Sequence, residues 1–205
     1  MFEIITIIGF AVTLAGIVLH RLISPSGPRK VKKTQSGKGK SSLLAVLRKL
    51  VYLLALLSFV VLVFTGFYPL LVLGEHITGY FVMLHATFSP VFAVCLAVLA
   101  LMWADKCRID YNEYPVMRRI VRLLTGAKAA DEETPCKNSG PGQKITFWLI
   151  ILLALPLILS IVVILLGYSG THQQEWFLAA HRYIALLFCL VAIIHTYLMT
   201  RMQAM

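Results

Sequence analysis

The sequence predicts an all-α integral membrane protein, a helical bundle of five transmembrane helices with its N-terminus out and its C-terminus in. Three observations predict it. Of the 205 residues, 59% are hydrophobic, and the mean hydropathy is +0.83; soluble domains are nearer roughly 45–50% apolar. Five stretches, about 3–24, 50–73, 80–103, 145–168 and 176–200, are long enough and apolar enough to cross a bilayer. The net charge of +10 is confined to loops, where it reports membrane topology before it suggests nucleic-acid binding.

The first stretch has no basic segment ahead of it and no convincing small-residue cleavage site, and positive charge follows it. It reads as a retained helix and not a signal peptide. Residues 25–49 form a basic cytoplasmic linker with Arg29, Lys30, Lys32, Lys33, Lys38, Lys40, Arg48 and Lys49 and no acid, attracted to anionic lipid head groups. The loop 104–144 adds Lys106, Arg108, Arg118, Arg119, Arg122, Lys128, Lys137 and Lys144, whereas the N-terminus and the loops around Glu75 and Glu175 carry no Lys or Arg. Only one orientation places both basic loops in the cytoplasm. Within the second basic loop, residues 114–124 read as an amphipathic helix starting at Pro115 and lying on the cytoplasmic surface. Pro90 and Pro156 fall inside spans and predict kinks. The chain thus divides into an extra N-terminal helix (1–24), the linker (25–49) and a four-helix core (50–205).

The four cysteines form no CxxC or CxxCH, which argues against c-type haem and against a clustered zinc or iron–sulfur site. Cys95 and Cys189 lie within spans as small apolar residues. Cys107 and Cys136 lie in the cytoplasmic loop and are expected to be reduced.

The histidines carry the chemistry. His181 and His195 bracket a run of apolar residues, fourteen positions apart. In a helix that spacing is a rise of about 21 Å and close to four full turns, so both rings leave one face, one near each edge of the hydrocarbon. His85 lies in the third span at the depth of His181. Two imidazoles from different helices at one depth can clamp a metal or a haem iron. His195 needs a partner at its own depth, and His20 in the first span and Tyr52 in the second are the candidates. His76 and His172 sit in outer loops, either simply exposed or in contact with a propionate, a quinone head group or a partner. Arg182 either snorkels or neutralises a haem propionate. The chain has no HExxH motif and no carboxylate-rich or closely spaced ligand set in its spans, so protease and zinc chemistry fit poorly. Bis-histidine haem b fits best; it leaves the iron without an open position, suited to moving electrons.

Three stretches, MLHATF around His85, GQKITFW at 142–148 and the paired histidines ending in IIHTYLM at 193–199, resemble the membrane cytochrome b subunits of respiratory formate dehydrogenases, nickel–iron hydrogenases and thiosulfate reductases. The resemblance covers about residues 48–201. It implies a four-helix bundle with two haems b, the outer one ligated by His85 and His181 and the inner one by His195. It also implies a cytoplasmic-side quinone site, with Asn138, Gln143 and Lys144 as candidates to hydrogen-bond menaquinone or ubiquinone. Ser139, Gly140 and Pro141 lengthen the segment between Asn138 and Gly142 relative to the family pattern. A larger departure is Tyr52, fourteen residues before Thr65-Gly66, where the family has a histidine. His20, at the end of the extra helix, is the expected replacement as partner of His195; the alternative is that the inner haem has been lost.

The expected function is a membrane cytochrome b subunit of a prokaryotic inner membrane, passing electrons between a periplasmic-side redox partner and the quinone pool. The resemblance implies that the partner is an iron–sulfur or multihaem cytochrome subunit docking on the outer face. Substrate chemistry belongs to the partners, and no nucleic-acid role is expected. Competing readings are a haem-free anchor or assembly subunit, a single-haem variant, and a small transporter or proton channel using the histidines as a relay.

Overall fold

Five helices follow one another in a computed structural model that describes residues 1–23, 43–105, 107–108, 141–167 and 170–204. They are α1 (Phe2–Ile23), α2 (Leu43–Tyr68), α3 (Gly79–Trp103), α4 (Pro141–Leu166) and α5 (Thr171–Ala204). Each contains a segment long and apolar enough to cross a membrane, and no strand occurs among the described residues. A bilayer core leaves the backbone no water to bond, so each spanning segment satisfies its own N–H and C=O groups as a helix. The linker 25–42, the surface helix expected at 114–124, Cys136 and Asn138 lie outside the described residues.

The helix boundaries follow local chemistry more than hydropathy. α2 starts at Leu43, seven residues before the apolar stretch, so Arg48 and Lys49 ride on the helix. Its far end widens into a single π-turn over Pro69–Leu73 and stops at Gly74, whose φ of 68° closes the turn with an N–H to the Pro69 carbonyl. That left-handed conformation suits glycine and ends the helix cleanly. Pro90 and Pro156 sit inside α3 and α4 without ending them.

α2 and α3 form one antiparallel hairpin, α4 and α5 another, and each is closely packed within itself. The hairpins touch each other far more sparsely, chiefly through α3 and α4, so the bundle's interior is not closed by helix-on-helix contact. α1 runs parallel to α5 and packs along it. Phe2 meets Tyr183 edge-on at 5.1 Å, Gly9 faces Leu186 and Leu190, and His20 meets Tyr197 at 5.7 Å. Phe10 also reaches Phe67 of α2 at 5.7 Å. Leu101, Leu152 and Leu165 point outward with most of their surface uncovered, as side chains facing lipid tails do.

Candidate functional site

Seven residues of helix make two turns to within about 20° and rise about 10.5 Å, and the interior of this bundle is built on that step. α3 presents His85, Phe92 and Leu99; α5 presents His181, Phe188 and His195; α4 presents Ser160, Leu153 and Thr146. α2 contributes Thr65, Ser58 and Val51 on the side that meets α3, and Gly66, Phe59 and Tyr52 beside them. The result is three layers, named here for His85, Phe188 and His195.

In the His85 layer the imidazoles of His85 and His181 have centroids 6.5 Å apart, with ring planes at 73°. With metal–imidazole bonds of about 2.0 Å and a ring centroid about 1.1 Å behind its nitrogen, two rings on one metal stand roughly 6.3 Å apart. The observed separation matches one ion between them. No group of three or more His, Cys, Asp or Glu gathers anywhere among the described residues. Two imidazoles would suit an iron that takes its other four bonds from a porphyrin.

The hydrogen bonds assign the protons. His181 Nδ1 lies 3.1 Å from the Leu157 carbonyl and 3.1 Å from Ser160 Oγ. A carbonyl can only accept, so His181 carries its proton on Nδ1 and presents the Nε2 lone pair. Thr65 Oγ1 donates to the Val61 carbonyl at 2.8 Å and so accepts from His85 Nδ1 at 2.9 Å. Thr146 repeats the device, with its hydroxyl on the Gly142 carbonyl at 2.9 Å and His195 Nδ1 at 2.7 Å. Each imidazole is thereby held in the tautomer that leaves Nε2 unprotonated, able to accept a hydrogen bond or to bind a metal. Gly66 completes the layer: a Cβ there would stand 3.4 Å from His85 Cε1.

The Phe188 layer seals the middle. Phe59, Phe92 and Phe188, from three helices, pack with centroids 5.8 to 6.0 Å apart, and Ser58 is wholly buried beside them. In the His195 layer the position below His85 is Leu99, packed with Ala55, Cys95 and Val51, and the position below Gly66 is Tyr52, near Trp103 at 6.2 Å.

The structure brings together His85 and His181 but sets His20 elsewhere. His20 Nδ1 lies 2.8 Å from the Tyr197 hydroxyl, and Arg201 donates to His20 Nε2 at 3.0 Å. Tyr197 and Arg201 lie about 200° and 240° around α5 from His195, so α1 docks on the back of α5. The His20–His195 pair expected from matching depths is not the contact the fold makes, because equal depth does not set which face of α5 the first helix takes. Arg182 bonds His76 Nδ1 at 3.2 Å, tying α5 to the loop between α2 and α3. His172 accepts the Trp176 indole N–H at 3.3 Å on the exposed end of α5. Gln143 is buried, donating to the Leu198 carbonyl at 3.1 Å, and Lys144 is buried beside it; the Gln143 amide fastens α4 to α5.

Sequence reasoning missed the roles of Thr65, Ser160, Thr146 and Gly66 beside the histidines. A signal for two of them was present: Thr146 and Ser160 are fourteen residues apart, like the histidines they serve. Reading it requires knowing that α4 pairs with α5. A family model described as prokaryotic cytochrome b561 matches residues 50–205. No curated protein and no solved structure matches the chain.

Proposed function

We infer the function from kinship and geometry together: the chain belongs to the prokaryotic cytochrome b561 family, and we propose that it carries electrons between a redox partner at its N-terminal end and the membrane quinone pool through a haem b held by His85 and His181. As a member it is a multi-pass prokaryotic membrane cytochrome b, and haem b and electron transport come with the family. The partner proposed is an iron–sulfur or multihaem cytochrome subunit facing the loops around Glu75 and Glu175.

The single observation that carries the reading is the 6.5 Å spacing of two imidazoles whose tautomers are both set for ligation. Haem b, when bound, supplies a one-electron carrier with both axial positions filled. The chain's own residues do the rest. His85 and His181 bind and orient; Thr65, Ser160 and the Leu157 carbonyl hold the Nδ1 protons; Gly66 leaves space beside His85. The phenylalanine layer keeps water away from the buried face. Reducing one quinone takes two such electrons and two protons, and oxidising one quinol returns them.

The test is an optical spectrum of the purified full-length protein, oxidised and reduced. Sharp reduced haem b bands, and reduction of the haem by an added short-chain quinol, are expected. A protein isolated without such bands from haem-replete cells contradicts the reading. A second measurement checks the proton assignment. Thr65→Val removes the acceptor of the His85 Nδ1 proton, making that imidazole a weaker donor to ferric iron. The haem should stay bound and its midpoint potential should rise; a tenfold change in relative affinity for the two iron states corresponds to about 59 mV.

A further inference from the structure

α1 lies outside the residues that the family model matches, and its contact with α5 is uneven along its length. Gly16 and His20 fall on the same stripe of α1 as Gly9, each within about 20° of it. The stripe touches α5 at both ends. A Cβ at Gly9 would stand 3.3 Å from Leu190, and His20 Nδ1 lies 2.8 Å from the Tyr197 hydroxyl. Between these points a Cβ at Gly16 would meet nothing within 4 Å. On α5, Ile194 is one turn from both Leu190 and Tyr197, and 37% of its surface is uncovered. The two helices thus leave an apolar cleft open between two points of contact. Glycine keeps it open, although a leucine would make the better helix and fill the space.

The cleft ends at a polar cluster. One turn beyond Gly16, about 6 Å along the axis, His20 meets Tyr197. Arg201 donates to His20 Nε2 at 3.0 Å and to the Tyr197 hydroxyl at 3.4 Å. Arg21 follows on α1 with its side chain exposed. No Asp or Glu occurs from residue 4 to residue 74 or from residue 176 to residue 205. The charged side chains of α1 after Glu3, of the stretch 25–49 and of the last turns of α5 are therefore all basic. Tyr197 and Arg201 lie on the face of α5 turned away from His195, so the cluster stands apart from the haem-bearing interior.

We propose that the cleft between α1 and α5 binds one anionic phospholipid, its phosphate bonded by Arg201 and Tyr197 and one acyl chain lying past Gly16. A phosphodiester offers only acceptor oxygens and a negative charge; a guanidinium and a phenol supply donors, and the guanidinium suits phosphate geometry. His20 holds the Tyr197 hydroxyl in place. The apolar gap calls for a hydrocarbon chain, because in a bilayer the tails fill space that side chains leave. Both features stand in the order a lipid requires, with charge at the helix ends and apolar space one turn deeper. Inorganic phosphate shares the chemistry of the head group but makes no use of the cleft, which separates the two ligands. Bound there, the lipid joins the added helix to the core.

The test uses the purified full-length protein, freed of lipid in detergent. It is titrated in turn with a phosphatidylglycerol, a phosphatidylcholine of the same acyl chains, and inorganic phosphate. One phosphatidylglycerol per chain should bind, about tenfold tighter than the phosphatidylcholine, as suits a hydrogen bond to a charged group. Arg201→Gln and Gly16→Leu should each weaken the phosphatidylglycerol about tenfold, the first by removing the cation and the second by filling the place of the chain. Haem content should be unchanged in both. Phosphatidylcholine bound as tightly as phosphatidylglycerol overturns the inference, and so does wild-type affinity for phosphatidylglycerol in either variant. Inorganic phosphate bound as tightly as the lipid assigns the cluster to a free anion and overturns the lipid site as well. Arg201→Gln alters only the end of α5, so if Gly16→Leu fails to fold, the arginine variant decides.

Discussion

Replacing His85 or His181 by alanine is expected to empty the protein of haem, leaving no more than roughly a tenth of the wild-type content in either variant. Losing an outer hydrogen bond to a ligand typically costs 10- to 100-fold in metal affinity, and removing the ligand itself costs more. The two variants should behave alike because the rings, 6.5 Å apart, are proposed to serve one iron, and losing either would leave it with a single imidazole. The measurement is haem per chain in purified protein, with the reduced spectrum and electron transfer to an added quinone lost in parallel. His172→Ala is the control, since His172 lies on the exposed end of α5 against Trp176 and its loss should change neither. If His85→Ala and His181→Ala each kept full haem, the ligand assignment would fall.

Gly66→Leu should have nearly as large an effect by a different route. Even a Cβ at this position would stand 3.4 Å from His85 Cε1, and a leucine side chain extends past it into the space between the hairpins. Haem should be excluded although both ligands remain. The sign of the effect on the helix separates this from a folding defect. Glycine inside a helix is less favourable than an ordinary helix former by about 1 kcal/mol, so α2 itself should gain stability. The expected result is a membrane-inserted protein of normal helicity with little haem, checked by circular dichroism and haem content on the same sample. Gly66→Ala, adding only the Cβ, should retain haem. Normal haem in Gly66→Leu would mean that the porphyrin does not use the space beside His85.

Much of this was legible before any coordinates. The five spans follow from hydropathy, a property of each segment alone, because a bilayer imposes the same requirement on every helix that crosses it. The shared face of His181 and His195 follows from the pitch of one helix. The depth match of His85 and His181 needs only two spans counted from one side, and the structure puts those rings together. The family membership also rests on residues, 50–205, that the sequence alone presents.

Rotation and partnering of the helices were not legible. α1 is apolar nearly all round, with Thr6 its one buried residue, so no polar stripe in its sequence announces which side faces protein. Only the fit of Phe2, Gly9 and His20 along α5 decides it. That fit takes His20 to Tyr197 and Arg201 and away from His195. The pairing of Ser160 and Thr146 with the two histidines of α5, and of Thr65 with His85, likewise depends on which helices pair and in what register. In lipid, apolar burial does not distinguish one helix face from another, because the tails are as apolar as the side chains. Sequence therefore determined which segments cross and which carry histidines; close packing and hydrogen bonds between helices, which exist only in the assembled bundle, decided which of those histidines meet.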